Sequence, residues 1–337
     1  RRQRQMCIRD RDRRLLTVSD RDIFVTTQKA LLIGIVLKNE IRADREESLK
    51  ELVNLVKTAG SSPKIIQTKR VEKIDPKTFI GKGSIKELVD ISDANDIDVV
   101  LFDCELTPNQ QKELRALFKC DVVDRTGLIL DIFALHAQSK EASLQVELAL
   151  SIYLKPRLAG LGKTLNQQGG GIGTRGPGET QLETDRRLIT KRIQRLKSDL
   201  DKVRRHRSQY RSRRQNNKIP VISLIGYTNA GKSTLFNSMT KSKVYESDQV
   251  FATLDPVTRR TVLENGDPIL ITDTVGFINK LPTNLIAAFR ATLEELEEAD
   301  ILLHVIDATD GNFNQHIEAV SYTHLRAHET REDRGWR

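Results

Sequence analysis

The chain has 337 residues, 38% hydrophobic and 30% charged, with a net charge of +9. That length suits two or three folded domains, and no apolar run approaches the ~20 residues of a membrane helix. The arginine-rich start lacks the apolar core of a secretory signal, and Cys7, Cys104 and Cys120 show neither metal-ligand spacing nor a disulfide framework, which points to a reducing compartment.

Arg1 to about Arg13 and Ser321 to Arg337 show neither helical nor strand period and read as foreign segments, outside the fold. The ordered chain then begins with an α/β domain over residues 22–134. Ala30 to Leu37 reads as a buried strand, and Arg45 to Ala59 as a helix with Leu49, Leu52, Val53 and Val56 at helical spacing and Gly60 as its stop. Lys64 to Thr68 is a second strand, Ser84 to Ala94 a helix, Val99 to Phe102 a third strand, and Thr107 to Phe118 a helix opened by Thr-Pro. Such alternation implies a layered α/β domain. Within it, Gly81-Lys82-Gly83 precedes a helix and is either a capping turn or a phosphate contact. It lacks the spacing of a nucleotide loop.

Residues 135–218 read as an antiparallel helical hairpin. Ser139 to Leu154 places Leu144, Leu148 and Ile152 on one face. Glu179 to Arg214 carries Leu182, Leu188, Ile189, Ile193, Leu196, Leu200 and Val203. The glycine-rich tip between them, residues 157–178, contains Gly171-x-Gly173-x-x-Gly176, but no strand precedes it, so the dinucleotide reading is rejected. From Lys155 to Lys218 there are 18 Lys/Arg against 5 Asp/Glu, 18 − 5 = +13, whereas residues 219–320 carry 7 against 14, 7 − 14 = −7. A one-signed basic hairpin with a tip that glycine keeps slim suits the backbone of an RNA. The candidate contacts are Arg157, Lys163 and Arg175 at the tip and Arg186, Arg187, Arg192 and Arg195 on the longer helix. Aromatics are few there, so phosphate and shape contacts outweigh stacking.

Residues 219–320 carry the chemistry. Gly226-Tyr227-Thr228-Asn229-Ala230-Gly231-Lys232-Ser233 matches Gly-x-x-x-x-Gly-Lys-Ser. It follows a strand-like run (Val221, Ile222, Leu224, Ile225) and opens a helix at Thr234, the context the pattern requires. Successive backbone N–H groups at a helix N-terminus make an anion site, Lys232 reaches the β- and γ-phosphates and Ser233 reaches Mg²⁺. Two further motifs follow. Phe251-Ala252-Thr253-Leu254-Asp255 supplies a threonine that can close over Mg²⁺ and the γ-phosphate, a segment of the kind that orders with triphosphate and relaxes after hydrolysis. Asp273-Thr274-Val275-Gly276 ends an apolar strand, with Asp273 holding Mg²⁺ through water and the Gly276 N–H meeting the γ-phosphate. Phe277 stands next, where many GTPases place a water-orienting Gln, so no side chain is identified as a general base and slow intrinsic hydrolysis is predicted. Asn229 is where related GTPases help coordinate K⁺.

The run Gly169-Gly-Gly-Ile-Gly-Thr-Arg-Gly-Pro-Gly-Glu-Thr-Gln-Leu-Glu-Thr-Asp-Arg-Arg187, together with these three motifs, resembles the HflX GTPases over about Asp22 to Val320. The resemblance implies a monomeric cytoplasmic GTPase that takes GTP and GDP with Mg²⁺ and binds the large ribosomal subunit. It also implies a role in splitting or rescuing ribosomes, the glycine-rich tip reaching into the subunit, and ATP binding by the N-terminal domain, on which Gly81 to Gly83 bear. The Asn-Lys-x-Asp motif that reads guanine is absent, so the nucleotide domain is expected to be incomplete past the strand Ile301 to Ile306, and guanine choice comes from the resemblance alone. On the residues themselves, an ATP-driven RNA remodeller and a non-enzymatic RNA-binding protein stay open beside the GTPase.

Overall fold

The computed structural model describes residues 28–38, 42–160, 177–215, 219–240, 250–251, 253–279, 296 and 299–321. Both terminal segments read as foreign lie outside these, apart from residue 321. So do most of the glycine-rich tip, with Lys163 and Arg175, and Ala252.

The first sheet joins β1 (Lys29–Leu37), β2 (Ser62–Val71), β3 (Val99–Phe102) and β4 (Asp121–Asp124), all parallel, in the order β2-β1-β3-β4. A parallel sheet needs cover on both faces, and the two-residue alternation of its strands provides it. Ala30 and Leu32 of β1 with Val99 and Leu101 of β3 enter one apolar cluster, while Leu31, Ile33 and Ile35 with Val100 and Phe102 enter another. The connecting helices are α1 (Arg42–Thr58), α2 (Lys82–Ala94), α3 (Pro108–Phe118) and α4 (Arg125–His136). Helix α3 starts where expected, because Thr107 and Gln110 form a capping box ahead of Pro108. Gly81 is the N-cap of α2, with no side-chain cap bond.

Within the first domain, sequence reading missed two elements. Strand β4 is only Asp-Val-Val-Asp, too short for a period. Helix α4 is buried from Arg125 through Leu130 and again at Ile132 to Ala134, and a helix apolar on all sides shows no amphipathic stripe.

The hairpin consists of α5 (Lys140–Leu154), a 3₁₀ turn at Arg157–Gly160 and α6 (Pro177–Gln215). Glu147 pairs with Arg192, and Lys140 lies near Asp199. Seven residues back on one helix match seven forward on the other, so the helices run antiparallel. At 1.5 Å per residue α6 is about 58 Å long, and it extends past both ends of its shorter partner. Ile189, Leu196 and Leu200 form its buried stripe, whereas Leu188 is exposed. The face expected for α5 needs correcting. Ala142, Val146, Ala149 and Tyr153 are buried, Leu144 and Leu148 are half-buried, and Ile152 is exposed. Small residues let α5 lie close on the first domain, and Val146, Ala149 and Tyr153 share a core with α1 and α4.

The second sheet has the order β6-β7-β5-β8: β5 (Val221–Gly226), β7 (Pro268–Asp273) and β8 (Ile301–Val305) are parallel, with β6 (Val257–Val262) antiparallel at one edge. Helix α7 (Lys232–Thr240) follows β5, and Phe236 anchors it over Leu224, Ile269 and Ile271. Along β8, Ile301, Leu302 and Leu303 are exposed.

The two sheets are joined by packing. Val250, Phe251, Val275 and Ile278 belong to the same apolar cluster as Leu49, Leu52, Leu55, Ile129 and Phe133 of α1 and α4.

Candidate functional site

Strand β5 ends at Gly226, whose φ of +155° and position 2.3 Å from the Val305 carbonyl, measured to where a Cβ would stand, admit no side chain. The chain then turns through residues 227–231 into α7, so the lysine and serine of the motif occupy the helix's first turn. Lys232 is buried, and its Nζ donates to the Tyr227 carbonyl at 2.7 Å. Burial pulls its pKa down to about 8, with Asp273 opposing.

Three residues from separate motifs meet beside it. Ser233 Oγ donates to Asp273 Oδ2 at 2.7 Å. Thr253 Oγ1 donates to the same oxygen at 3.2 Å. The two hydroxyls lie 3.0 Å apart. Asp273 is fully buried at the end of β7, and burial raises its pKa. Its other oxygen, Oδ1, is buried with no hydrogen-bond partner among the described residues. Two hydroxyls and a carboxylate with an uncompensated oxygen form a hard-oxygen donor set that fits a small divalent cation.

The segment after Asp273 lies directly over the phosphate loop. Thr228 N–H donates to the Phe277 carbonyl at 2.8 Å, and Phe277 N–H donates to the Gly226 carbonyl at 3.1 Å. A Cβ on Gly276 would sit 2.7 Å from Thr228 Cα and 3.0 Å from Lys232 Nζ, so only glycine passes here. The Thr274 hydroxyl is committed to the Leu224 carbonyl at 2.6 Å, and Val275 is buried in the core, so these two support the segment from behind. The Phe277 ring is buried with Ile225, Leu296 and Val320. Asn229 is exposed in the left-handed region at φ 61°, and Thr234 is exposed in the first turn of α7.

The expected nucleotide segment 251–255 is turned partly away from the phosphates. The Phe251 ring meets Phe133 edge to face at 4.7 Å, and Leu254 packs against the same cluster. Asp255 accepts from Gln138 and from Ser139, the N-cap of α5. Among the RNA candidates, Arg157 is corrected. Its Nε donates to Gln111, its Nη1 to the Tyr153 carbonyl, its Nη2 to the Leu106 carbonyl and Asp124, and the guanidinium stacks on Tyr153 at 3.6 Å. It anchors the root of the tip rather than reaching outward. Arg186 and Arg187 are exposed on α6, Arg192 pairs with Glu147, and Arg195 lies 3.9 Å from Asp199.

Sequence reading also missed a buried charge network. Arg125 donates to Asp103 at 2.7 Å, to Glu51 at 2.6 Å and to the Asn279 carbonyl at 3.1 Å. Tyr227 donates to Glu51 and accepts the Asn279 N–H, each at 2.8 Å. The one sequence signal was a charged pair, Asp124-Arg125, set between Val122-Val123 and Leu128-Ile129-Leu130.

A phosphate loop on a mostly parallel sheet, met by a threonine from one segment and an aspartate from another, defines a P-loop nucleoside triphosphatase. Family models agree along the chain: "GTP-binding GTPase N-terminal" matches residues 46–134, "GTP-binding GTPase Middle Region" residues 136–214, and "50S ribosome-binding GTPase" residues 221–331. The GTPase HflX of Alkalihalophilus pseudofirmus is 48% identical over 303 residues, covering 90% of this chain and 70% of that protein. The GTPase HflX of Escherichia coli K12 is 48% identical over 300 residues, 89% and 70% respectively. The chain belongs to the HflX family of GTPases and is a GTP hydrolase. Among solved structures, the SsGBP–GDP complex is 27% identical, covers 89% of this chain and 78% of its own, and superposes with a TM-score of 0.50. No helix among the described residues is long and apolar enough to cross a membrane.

Proposed function

We propose that this GTPase acts in the cytoplasm on the large ribosomal subunit, splitting or rescuing ribosomes or aiding their assembly, with GTP setting the posture of its basic hairpin. The observation that carries the catalytic half is the meeting of Ser233, Thr253 and Asp273 within 3.2 Å beside Lys232. In this reading Lys232 leaves the Tyr227 carbonyl for the β- and γ-phosphates, while amides of residues 227–234 cradle the phosphate chain. Ser233 and Thr253 would hold Mg²⁺, with Asp273 reaching it through water. When bound, the ion neutralises charge developing on the phosphate oxygens. Gly276 brings its N–H to the γ-phosphate, and Asn229 helps hold K⁺. With Phe277 buried among apolar side chains, no water-orienting group comes from that position, so hydrolysis is slow until a partner completes the site.

The RNA half rests on the exposed basic row of α6. A family model described as a 50S ribosome-binding GTPase matches the nucleotide domain, which supports that partner. Lys232→Ala is the direct test of the catalytic half. It should abolish GTP turnover while purified large subunits still bind, and turnover at the parent rate would refute the assignment of the loop.

A further inference from the structure

Thr253 sits between two anchors, and neither belongs to the nucleotide domain. Ahead of it, Val250 N–H donates to Thr58 Oγ1 of α1 at 3.2 Å, and the Phe251 ring is buried against Phe133 of α4. Behind it, Asp255 is fixed to the start of α5: its Oδ2 accepts the Gln138 and Ser139 N–H groups, each at 2.9 Å, and its Oδ1 accepts the Ser139 hydroxyl. The Ser139 oxygen in turn accepts the Ala142 N–H at 3.0 Å as the N-cap of that helix. A carboxylate at a helix N-terminus is favoured by the amides and dipole gathered there. Thr253 is two residues from Asp255, so its backbone can stray no more than about 7 Å from this anchor.

We propose that Ser139, outside the nucleotide domain, is a positioning residue for GTP hydrolysis: it holds Asp255 and, through it, sets Thr253 against Asp273. Because Ser139 caps the first helix of the hairpin, the same linkage passes motion both ways. Displacing α5 moves the Thr253 hydroxyl, and drawing Thr253 onto a triphosphate pulls on the root of the basic arm. The inference rests on the reading of Thr253 as a Mg²⁺ and γ-phosphate ligand.

The test uses the full chain with Ser139→Ala, Ser139→Thr and, as reference, Thr253→Ala. Two quantities are read: affinity for GDP and for a non-hydrolysable GTP analogue with Mg²⁺, and amide hydrogen exchange over residues 253–255. Ser139→Ala should weaken the analogue about tenfold, the size of a lost hydrogen bond to a charged group. It should leave GDP affinity unchanged and speed exchange at 253–255, and Ser139→Thr, which keeps the hydroxyl, should restore both analogue affinity and slow exchange. Analogue affinity unchanged by Ser139→Ala but reduced by Thr253→Ala would overturn this inference alone. An equal loss for GDP and analogue would overturn it too, since that marks general damage, as would failure of the threonine to rescue. If Thr253→Ala itself leaves the analogue bound as before, the reading of Thr253 falls and takes this inference with it.

Discussion

Tyr227, the second residue of the phosphate loop, donates its phenolic proton at 2.8 Å to Glu51, 176 residues earlier in the chain. The nucleotide loop is therefore bonded to a helix of another domain, and burial with the adjacent Glu51 carboxylate pushes the phenol pKa well up, so the proton stays. Arg125 closes the network by holding Glu51, Asp103 and the Asn279 carbonyl together. Arg125→Ala leaves Glu51 with only the Tyr227 hydroxyl and Asp103 with the Ser48 hydroxyl and Arg45 at 3.8 Å, and should lower stability by about 3 kcal/mol, read from the denaturant midpoint of the first domain. Glu51→Gln keeps shape and a hydrogen-bonding oxygen, and should cost less.

Lys232 gives a pH dependence. Its folded pKa of about 8 lies below the ordinary 10.5. From about pH 8 upward the nucleotide-free lysine loses its proton, while an unfolded chain holds it, so folded stability rises with pH across that window. Binding runs the other way, because a triphosphate requires the charged amine. GTP affinity should fall as pH rises through about 8, with proton uptake on binding. Calorimetry at pH 8.5 in buffers of differing ionisation heat should detect that uptake, and much less at pH 6.5.

Gly276→Ala places a methyl 2.7 Å from Thr228 Cα and 3.0 Å from Lys232 Nζ. The segment must back away from the loop, taking the Gly276 N–H from the γ-phosphate. GTP turnover should drop by about 10²-fold, the effect of losing one preorganised donor to the reacting group, while GDP affinity, measured by fluorescence titration, changes little.

Arg157 separates anchoring from RNA contact. Its guanidinium meets Gln111, Asp124 and two carbonyls inside the fold. Removing it should lower thermal stability, by about 3 kcal/mol for a largely buried charge pair, and leave the salt slope of RNA binding as it was.

Arg186 and Arg187 should show the opposite pattern. Both are exposed on α6. Changing the pair to glutamine should leave the melting temperature in place and flatten the slope of log affinity against log salt by about 1–2, one unit or less for each phosphate no longer neutralised. Filter binding of large-subunit RNA across a salt series measures it.

How much of this was legible beforehand follows from where each signal lies in the chain. The phosphate loop could be read because its glycines, lysine and serine are contiguous and their backbone geometry is local. Thr253 and Asp273 could be matched to it because each stands in a short motif beside a strand, and the structure brings both to Ser233. The hairpin was readable from long helical periods. Helix α4 and strand β4 were not, one being buried on every side and the other four residues long.

What the sequence determined by itself, then, is the set of chemical groups and the local geometry that presents them, since both depend on residues a few positions apart. Tertiary packing decided which groups are free to act. It turned Phe251 into the first domain, tied Asp255 to Ser139, drew Arg157 inward and set Tyr227 on Glu51. Each of these joins residues between 33 and 176 positions apart. Such pairings depend on which surfaces meet once apolar faces are buried, and no stretch of sequence carries that by itself.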